Sequence, residues 1–591
     1  MGKANCRSLS HSVFPLPFPL FFPHSSLGQS ALVIEQAFAY NGLMKKTSLI
    51  PILICACALS LAAVDDEGCT IIAVGKKASA DGSVILSHTD AGPDSRIFVV
   101  PAARHKPGAK APVYWGIQDA GRPLRDDGEV IGYIPQVAET FAYIHSAYPH
   151  MNEHQLAIAE STINQRSELV ALHGSANQIM TVEQAEIFAL QRCKKAREAV
   201  RFIGSLMETH GFLPSSGDGG EDLVIGDPDE AWVMEIFGVG PGWTPESGKP
   251  GAIWAAQRLG DDQALVIPNW SIIKEIRAGD SENFMVSGNY MQEAIERGWY
   301  DPASGKPFIW QDVYAPLPVE FATSRFWLFY TTFMPSLAQW PERKLSGNPM
   351  ATINPYHQFV EPLSLYPFSA APEKKISLQD VIAFQRSVFE GTIYDFTAQP
   401  QWLVTDGKGG LKVSPLATPF PSSELRALLK LSNRRPVARH RGHFGMVCQL
   451  RNWLPDAIGG VYWVYQDNPY ISPYVPVYAG CTDTAPSYQT YDPEKYSDRS
   501  ARWTIDAVDN LCNLRFQDAS KLVREMRAPF EEKIFADQER IDKEALALHK
   551  RNPMKAKAFL TGYCRGLMEQ VPPLYIGIRE RLITLFTNNR E

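Results

Sequence analysis

The chain has 591 residues, 45% of them hydrophobic and 20% charged, with 42 Gly and 44 Pro. That composition is ordinary for a globular protein, and the length allows a large core or more than one domain. A net charge of −7 gives no electrostatic reason to expect nucleic acid, no Cys/His cluster has zinc spacing, and no Gly-rich nucleotide loop appears.

Residues 1–43, with Phe14-Pro-Leu-Pro-Phe-Pro and a Ser/His-rich flank, have no helical or strand period and read as an upstream extension. Met44 reads as the true start. Lys45 and Lys46 form a positive n-region, Leu49 to Leu59 an apolar run, and Ser60-Leu61-Ala62 or Leu61-Ala62-Ala63 a small-residue cleavage site. Residues 44–63 therefore read as a signal peptide and the protein as exported, periplasmic or extracellular. The run is short for a membrane span; a short anchor or a core helix is the rival. Lipidation at Cys57, in Ile54-Cys55-Ala56-Cys57, is a second rival. Residues 64–68 then form a short propeptide.

The stretch from Cys69 to Asp90 carries a hairpin signature. Apolar runs Ile71–Val74 and Val84–Leu86 flank a polar turn at Asp81-Gly82-Ser83. Strand character recurs at Val130–Ile134 and Thr140–Ile144, and Asn152–Thr162 reads as a turn feeding a strand. Thr181-Val-Glu-Gln184 resembles a capping box opening a helical stretch to about His210. Strands follow at Asp222–Gly226, Ala231–Phe237, Ile253–Arg258 and Gln263–Ile267. Residues of about 271–430 are rich in Pro, Trp and Phe without long periodicity, and read as an insertion of short helices and loops. Strands return at His443–Leu450 and Gly460–Tyr465, and from 497 to 591 the pattern is helical and charged. The sum is an α+β layered core over 69–496 with a helical C-terminal extension.

Six cysteines follow residue 68, at 69, 193, 448, 481, 512 and 564. Their wide spacing defines no disulfide framework, and isolated buried thiols are the plain reading for most.

Several blocks together resemble one family. Cys69-Thr-Ile-Ile-Ala-Val-Gly-Lys-Lys-Ala-Ser-Ala-Asp-Gly-Ser83 is similar to the start of mature dipeptidase A-type enzymes. These are cysteine members of the N-terminal-nucleophile (Ntn) hydrolases, related to penicillin V acylase and bile-salt hydrolase. Further blocks are Met151-Asn-Glu, Asp227-Pro-Asp-Glu-Ala-Trp-Val-Met-Glu235, Trp254-Ala-Ala-Gln-Arg258, Phe389-Glu-Gly-Thr-Ile-Tyr-Asp395, Gln449-Leu-Arg-Asn-Trp-Leu-Pro455, Ile458-Gly-Gly-Val-Tyr-Trp463 and Tyr474-Val-Pro-Val-Tyr-Ala-Gly480. The resemblance implies a four-layer αββα Ntn sandwich, small peptide substrates, no cofactor and no metal; no nucleotide partner is expected, and a homo-oligomer stays open.

The chemistry follows from Cys69. A thiol is a good nucleophile only as thiolate, and a free cysteine has a pKa of about 8.5. At an N-terminus the α-amine, with a pKa of about 8, serves as base or ion-pair partner. The resemblance implies that Asn269 is an oxyanion donor, that Asp90 orients the amine, and that Arg325 is a later active-site arginine. Relatives often carry an arginine three positions before this aspartate; Ser87 stands there, with the lone histidine His88 beside it. Glu160, with Thr162 next to it, is the candidate group for a dipeptide's ammonium.

The expected activity is cysteine-type dipeptide hydrolysis through an acyl-enzyme, activated by removal of the residues before Cys69. Two alternatives remain: an amidase or acylase of the penicillin V or bile-salt type, and an inactive exported binding protein on the same fold.

Overall fold

In the computed structural model the Cys69–Asp90 stretch forms the expected hairpin. Ile71–Val74 pairs antiparallel with Val84–His88, Ala73 facing Leu86 and Val74 facing Ile85. The structure describes residues 68–124, 128–215, 217, 219–315, 320–338, 366–431, 435–440 and 442–586. The upstream extension, the signal segment with Cys57 and propeptide residues 64–67 lie outside the described residues.

The hairpin is the middle of a six-stranded antiparallel sheet. Ala264–Ile267 pairs with its first strand, and Phe444–Leu450, Val461–Gln466 and Val475–Tyr478 continue from its second. A second, eight-stranded antiparallel sheet runs in the order Phe284–Val286, Ile253–Arg258, Ala231–Phe237, Gly220–Gly226, Ala157–Ile163, Met151–Asn152, Tyr143–His145 and Phe98–Val100. The two sheets meet where Val84–His88 lies against Ala157–Ile163 and Gly220–Gly226. A Cβ on Gly226 would come within 2.8 Å of the end of the Leu86 side chain, so the two sheets approach closely there. These strands are buried on both faces, which is why they read as apolar runs rather than as alternation. Each fully buried Ile, Leu or Val contributes about 1.5–3 kcal/mol of transfer free energy.

Helices cover both sheets. Ala196–His210 crosses Gly220–Gly226, Ala231–Phe237 and Ile253–Arg258. Leu378–Gln385 contacts Phe444–Leu450, Ala501–Cys512 contacts Val461–Gln466, and Pro553–Met568 contacts Val475–Tyr478. The helical stretch expected from Thr181 to His210 is two helices, Val182–Arg192 and Ala196–His210, broken over 193–195. Asp227 explains the break: its carboxylate accepts the Ala196 N–H at 2.9 Å and so starts a new helix there. The second helix ends at His210, as expected, where Gly211 takes φ 75°. Thr181 does cap the first helix, accepting the Gln184 N–H. The described part of 271–430 contains short helices at Gln292–Glu296, Trp310–Tyr314, Glu320–Phe333, Leu378–Gln385 and Ser423–Leu429. Residues 501–586 fold as four helices, one of them Phe516–Arg551. No described helix is long and apolar enough to cross a membrane.

Candidate active site

Strand register builds the site. The Thr70–Thr89 bridge extends the hairpin ladder by one pair, so the next residues, Cys69 and Asp90, stand opposite each other. On the other side Ile71 pairs with Ile267, and the same register carried two residues on brings Asn269 beside Cys69. Both neighbours leave their strands in the left-handed region, Asp90 at φ 57° and Asn269 at φ 60°. Asp and Asn tolerate that conformation better than most residues, and it turns both chains out of the sheet at Cys69.

Cys69 is only 7% exposed. Its thiol lies 3.4 Å from the Asp90 carbonyl oxygen and 3.7 Å from Glu160 Oε2. Glu160 belongs to Ala157–Ile163 in the facing sheet and is completely buried. Thr162 Oγ1 donates to Glu160 Oε1 at 3.2 Å, and Asn269 Nδ2 donates to the Thr162 carbonyl at 3.0 Å. Arg325, from Glu320–Phe333, closes the ring. Its Nη1 donates to the Cys69 carbonyl at 2.5 Å and to Thr70 Oγ1 at 2.7 Å; its Nη2 donates to the Pro268 carbonyl at 2.8 Å and to Asn269 Oδ1 at 3.0 Å. All six residues singled out in the sequence, Cys69, Asp90, Glu160, Thr162, Asn269 and Arg325, are therefore one cluster.

Three groups in the same place were not singled out as site residues. Arg439 forms an ion pair with the Asp90 carboxylate. Glu221, on Gly220–Gly226, faces Thr162 across the strand ladder and interacts electrostatically with Glu160. His88 Nε2 lies 3.6 Å from Glu160 Oε2, and its Nδ1 lies 3.0 Å from His150 Nε2. The sequence carried no signal for Arg439 or Glu221, since each is distant in the chain and looks like any charged residue. The alternation of the Val84–His88 strand did set His88 on the same side as Leu86, toward the facing sheet. Cys69 Sγ, His88 Nε2 and Glu160 Oε2 lie within 4.8 Å of one another, a metal-ligand spacing that only the folded chain assembles.

The charges sort the roles. Burial pushes the Cys69 thiol up, and the carboxylates of Glu160 and Asp90 push it further; Arg435 opposes them. Burial alone would raise the Asp90 carboxyl, but Arg439, His443, Arg435 and the Gly68 N–H outweigh it and keep it below its usual value. Burial raises Glu160 and Glu221, and the close pair favours retention of a proton between them. Burial lowers His88 to about 3, so its imidazole is neutral at neutral pH. The cluster thus contains a buried thiol, one fixed carboxylate, a proton-holding carboxyl pair and cations at its rim.

The peptidase family C69 model matches residues 68–528. The chain is 26% identical over 434 residues to "Probable dipeptidase B" of Lactococcus lactis subsp. lactis (strain IL1403), covering 72% of this chain and 78% of that protein. It is 24% identical over 530 residues to "Probable dipeptidase B" of Streptococcus pyogenes serotype M1, covering 87% and 92%. It is also 24% identical over 468 residues to "Probable dipeptidase" of Salmonella dublin, covering 75% and 91%. The match extends across far more than half of the chain: the protein belongs to peptidase family C69, and its match begins one residue before Cys69.

Proposed function

We propose that the protein is an exported cysteine dipeptidase in which Cys69, freed by removal of the residues before it, is an N-terminal nucleophile. The observation that carries this reading is the convergence of Asp90 and Asn269 on the Gly68–Cys69 junction. The Asp90 carboxylate accepts the Gly68 N–H, and Asn269 Oδ1 would lie 2.4 Å from a Cβ at position 68. The groups proposed to serve catalysis thus already touch the bond whose cleavage would expose the Cys69 amine. The two facing antiparallel sheets and the helices packed on each fit a four-layer αββα sandwich. The signal-like segment 44–63 supports export.

In the intact chain the Cys69 nitrogen is an amide, and Arg435 does not outweigh the burial and the carboxylates that raise the thiol. Cleavage creates an amine there. The amine takes the thiol proton, becomes an ammonium held by Asp90, and favours the thiolate by its charge. The thiolate attacks the carbonyl carbon of the dipeptide. Asn269 has a second amide N–H beyond the one given to Thr162, and this donor faces the developing oxyanion, a contribution of about 3–4 kcal/mol. The ammonium returns its proton to the leaving amine, and water resolves the acyl-enzyme. Arg325 holds the Cys69 carbonyl and the Asn269 side chain, so the nucleophile and the oxyanion donor share one anchor.

The carboxyl pair Glu160–Glu221 suits the free ammonium of a dipeptide, since a cation there would draw the shared proton off and form a charge-assisted contact. The test is a side-by-side assay with dipeptides and N-acylated amides. Glu160→Gln is expected to raise KM about tenfold or more for dipeptides and little for N-blocked amides. Equal losses on both would refute the assignment of Glu160, and a wild-type protein inert toward dipeptides would refute the activity.

A further inference from the structure

We propose that Cys69, His88 and Glu160 form a binding site for one zinc-class divalent cation, which when filled ties up the thiol. The three come from different places. Cys69 lies just before the strand Ile71–Val74, His88 ends its hairpin partner, and Glu160 lies on the facing sheet. Zinc bound tetrahedrally by thiolate, imidazole and carboxylate at about 2.0–2.3 Å requires ligand atoms about 3.4–3.6 Å apart. The thiol stands 3.7 Å and the His88 Nε2 3.6 Å from Glu160 Oε2, two spacings close to those of a filled site, and the three ligand atoms all lie within 4.8 Å of one another.

His88 points to a ligand independently. Its Nε2 is fully buried and has no hydrogen-bond partner among the described residues, an arrangement that costs free energy unless something else engages the lone pair. Its other nitrogen faces His150 Nε2 at 3.0 Å, and His150 Nδ1 in turn faces the Tyr462 hydroxyl at 3.4 Å. With Nδ1–H given to His150, the His88 lone pair is on Nε2, as metal ligation requires, and an outer hydrogen bond fixes the ring. The Glu160 N–H approaches the same Nδ1 at a longer 3.5 Å, which suits the other tautomer; a cation selects the first.

The donor set favours zinc over magnesium or calcium, which prefer all-oxygen shells. Three protein ligands leave the fourth position to water. Binding releases the thiol proton, and that of Glu160 where present, to solvent, so affinity rises with pH. The site itself does not depend on the function proposed above. Its consequence, reversible inhibition by zinc, rests on Cys69 being the nucleophile.

The experiment uses the processed wild-type protein and Co2+ as a spectroscopic substitute, with Zn2+ as competitor. One equivalent of Co2+ is expected to give a thiolate-to-cobalt charge-transfer band that Zn2+ abolishes and Mg2+ does not. Zn2+ is expected to protect Cys69 from alkylation, and a chelator to restore its reactivity. Glu160→Gln and His88→Ala are each expected to weaken binding at least about tenfold. No band at one equivalent and no protection from alkylation in the wild-type protein would overturn the site, as would unchanged affinity in both variants. Stoichiometric binding without loss of hydrolysis would leave the site standing and refute Cys69 as the nucleophile.

Discussion

Arg439 and Asp90 are 349 residues apart in the chain and form a part-buried ion pair beside the Cys69 thiol. The arginine that related enzymes often carry three positions before this aspartate is Ser87 here, and Ser87 Oγ instead accepts the Ile72 N–H at 2.9 Å inside the sheet. Arg439 brings a guanidinium to Asp90 from a different stretch of chain.

Replacing Arg439 should therefore act through Asp90. The carboxylate must be ionised to hold the Cys69 ammonium, and without Arg439 its burial raises the carboxyl pKa. Arg439→Gln is expected to move the acidic limb of the kcat/KM profile to higher pH, with Arg439→Lys restoring part of the shift. It also removes one partner of a buried carboxylate that Arg435 and His443 still face, so the loss in stability stays below the roughly 3–5 kcal/mol of a fully stranded charge. A lowered Tm with an unmoved pH profile would show that the pair is only structural.

Asn269 is bonded on both ends of its amide, to Arg325 through Oδ1 and to Thr162 through Nδ2. Asn269→Ala is expected to lower kcat by about 10²–10³-fold with little change in KM, the signature of a donor used only in the transition state. Steady-state kinetics on a dipeptide measures this; a rise in KM alone would contradict it.

Gly68 leaves no room for a side chain, since a Cβ there would meet the Asn269 Oδ1 at 2.4 Å. Gly68→Ala is expected to displace Asn269 and slow the appearance of the processed chain, followed by mass against time. Processing at the wild-type rate would show that Asn269 takes no part in it.

Part of this was legible in the sequence because it is local. The hairpin is two apolar runs around Asp81-Gly82, and each run is a strand. Glu160 stood out as a charge directly after the apolar Ala157-Ile-Ala159 run, and Cys69 by its place after a signal-like segment. Arg439 did not stand out, because nothing near it in sequence marks a guanidinium that crosses the fold to Asp90. Glu183 and Glu186 were also missed. In the sequence Ala185, Phe188 and Ala189 fall at helical spacing as one apolar face, whereas Val182 through Leu190 is buried all round, its glutamates included. Periodicity finds one apolar face and is blind to a helix covered on both.

Glu186 offers a test by stability. Both its carboxyl oxygens are buried without a hydrogen-bond partner among the described residues, and burial, Glu160 and Glu183 hold its pKa well above the ordinary 4.5. The unfolded chain loses this proton first. The associated stability is thus present below pH 4.5 and is lost as pH rises toward the folded value, with a slope of up to about 1.4 kcal/mol per pH unit. Glu186→Gln is expected to remove that slope and to be more stable than wild type at pH 8, as read from denaturant midpoints. Parallel curves for the two proteins across pH would contradict the burial argument.

The central claim is that Cys69 becomes the first residue of the working enzyme. Intact mass with N-terminal sequencing of the purified, active protein tests it most directly. The account predicts a chain that begins at Cys69, and an unprocessed, inactive chain for Cys69→Ala. An active wild-type protein that begins at Val64, with the Gly68–Cys69 bond intact, would contradict it.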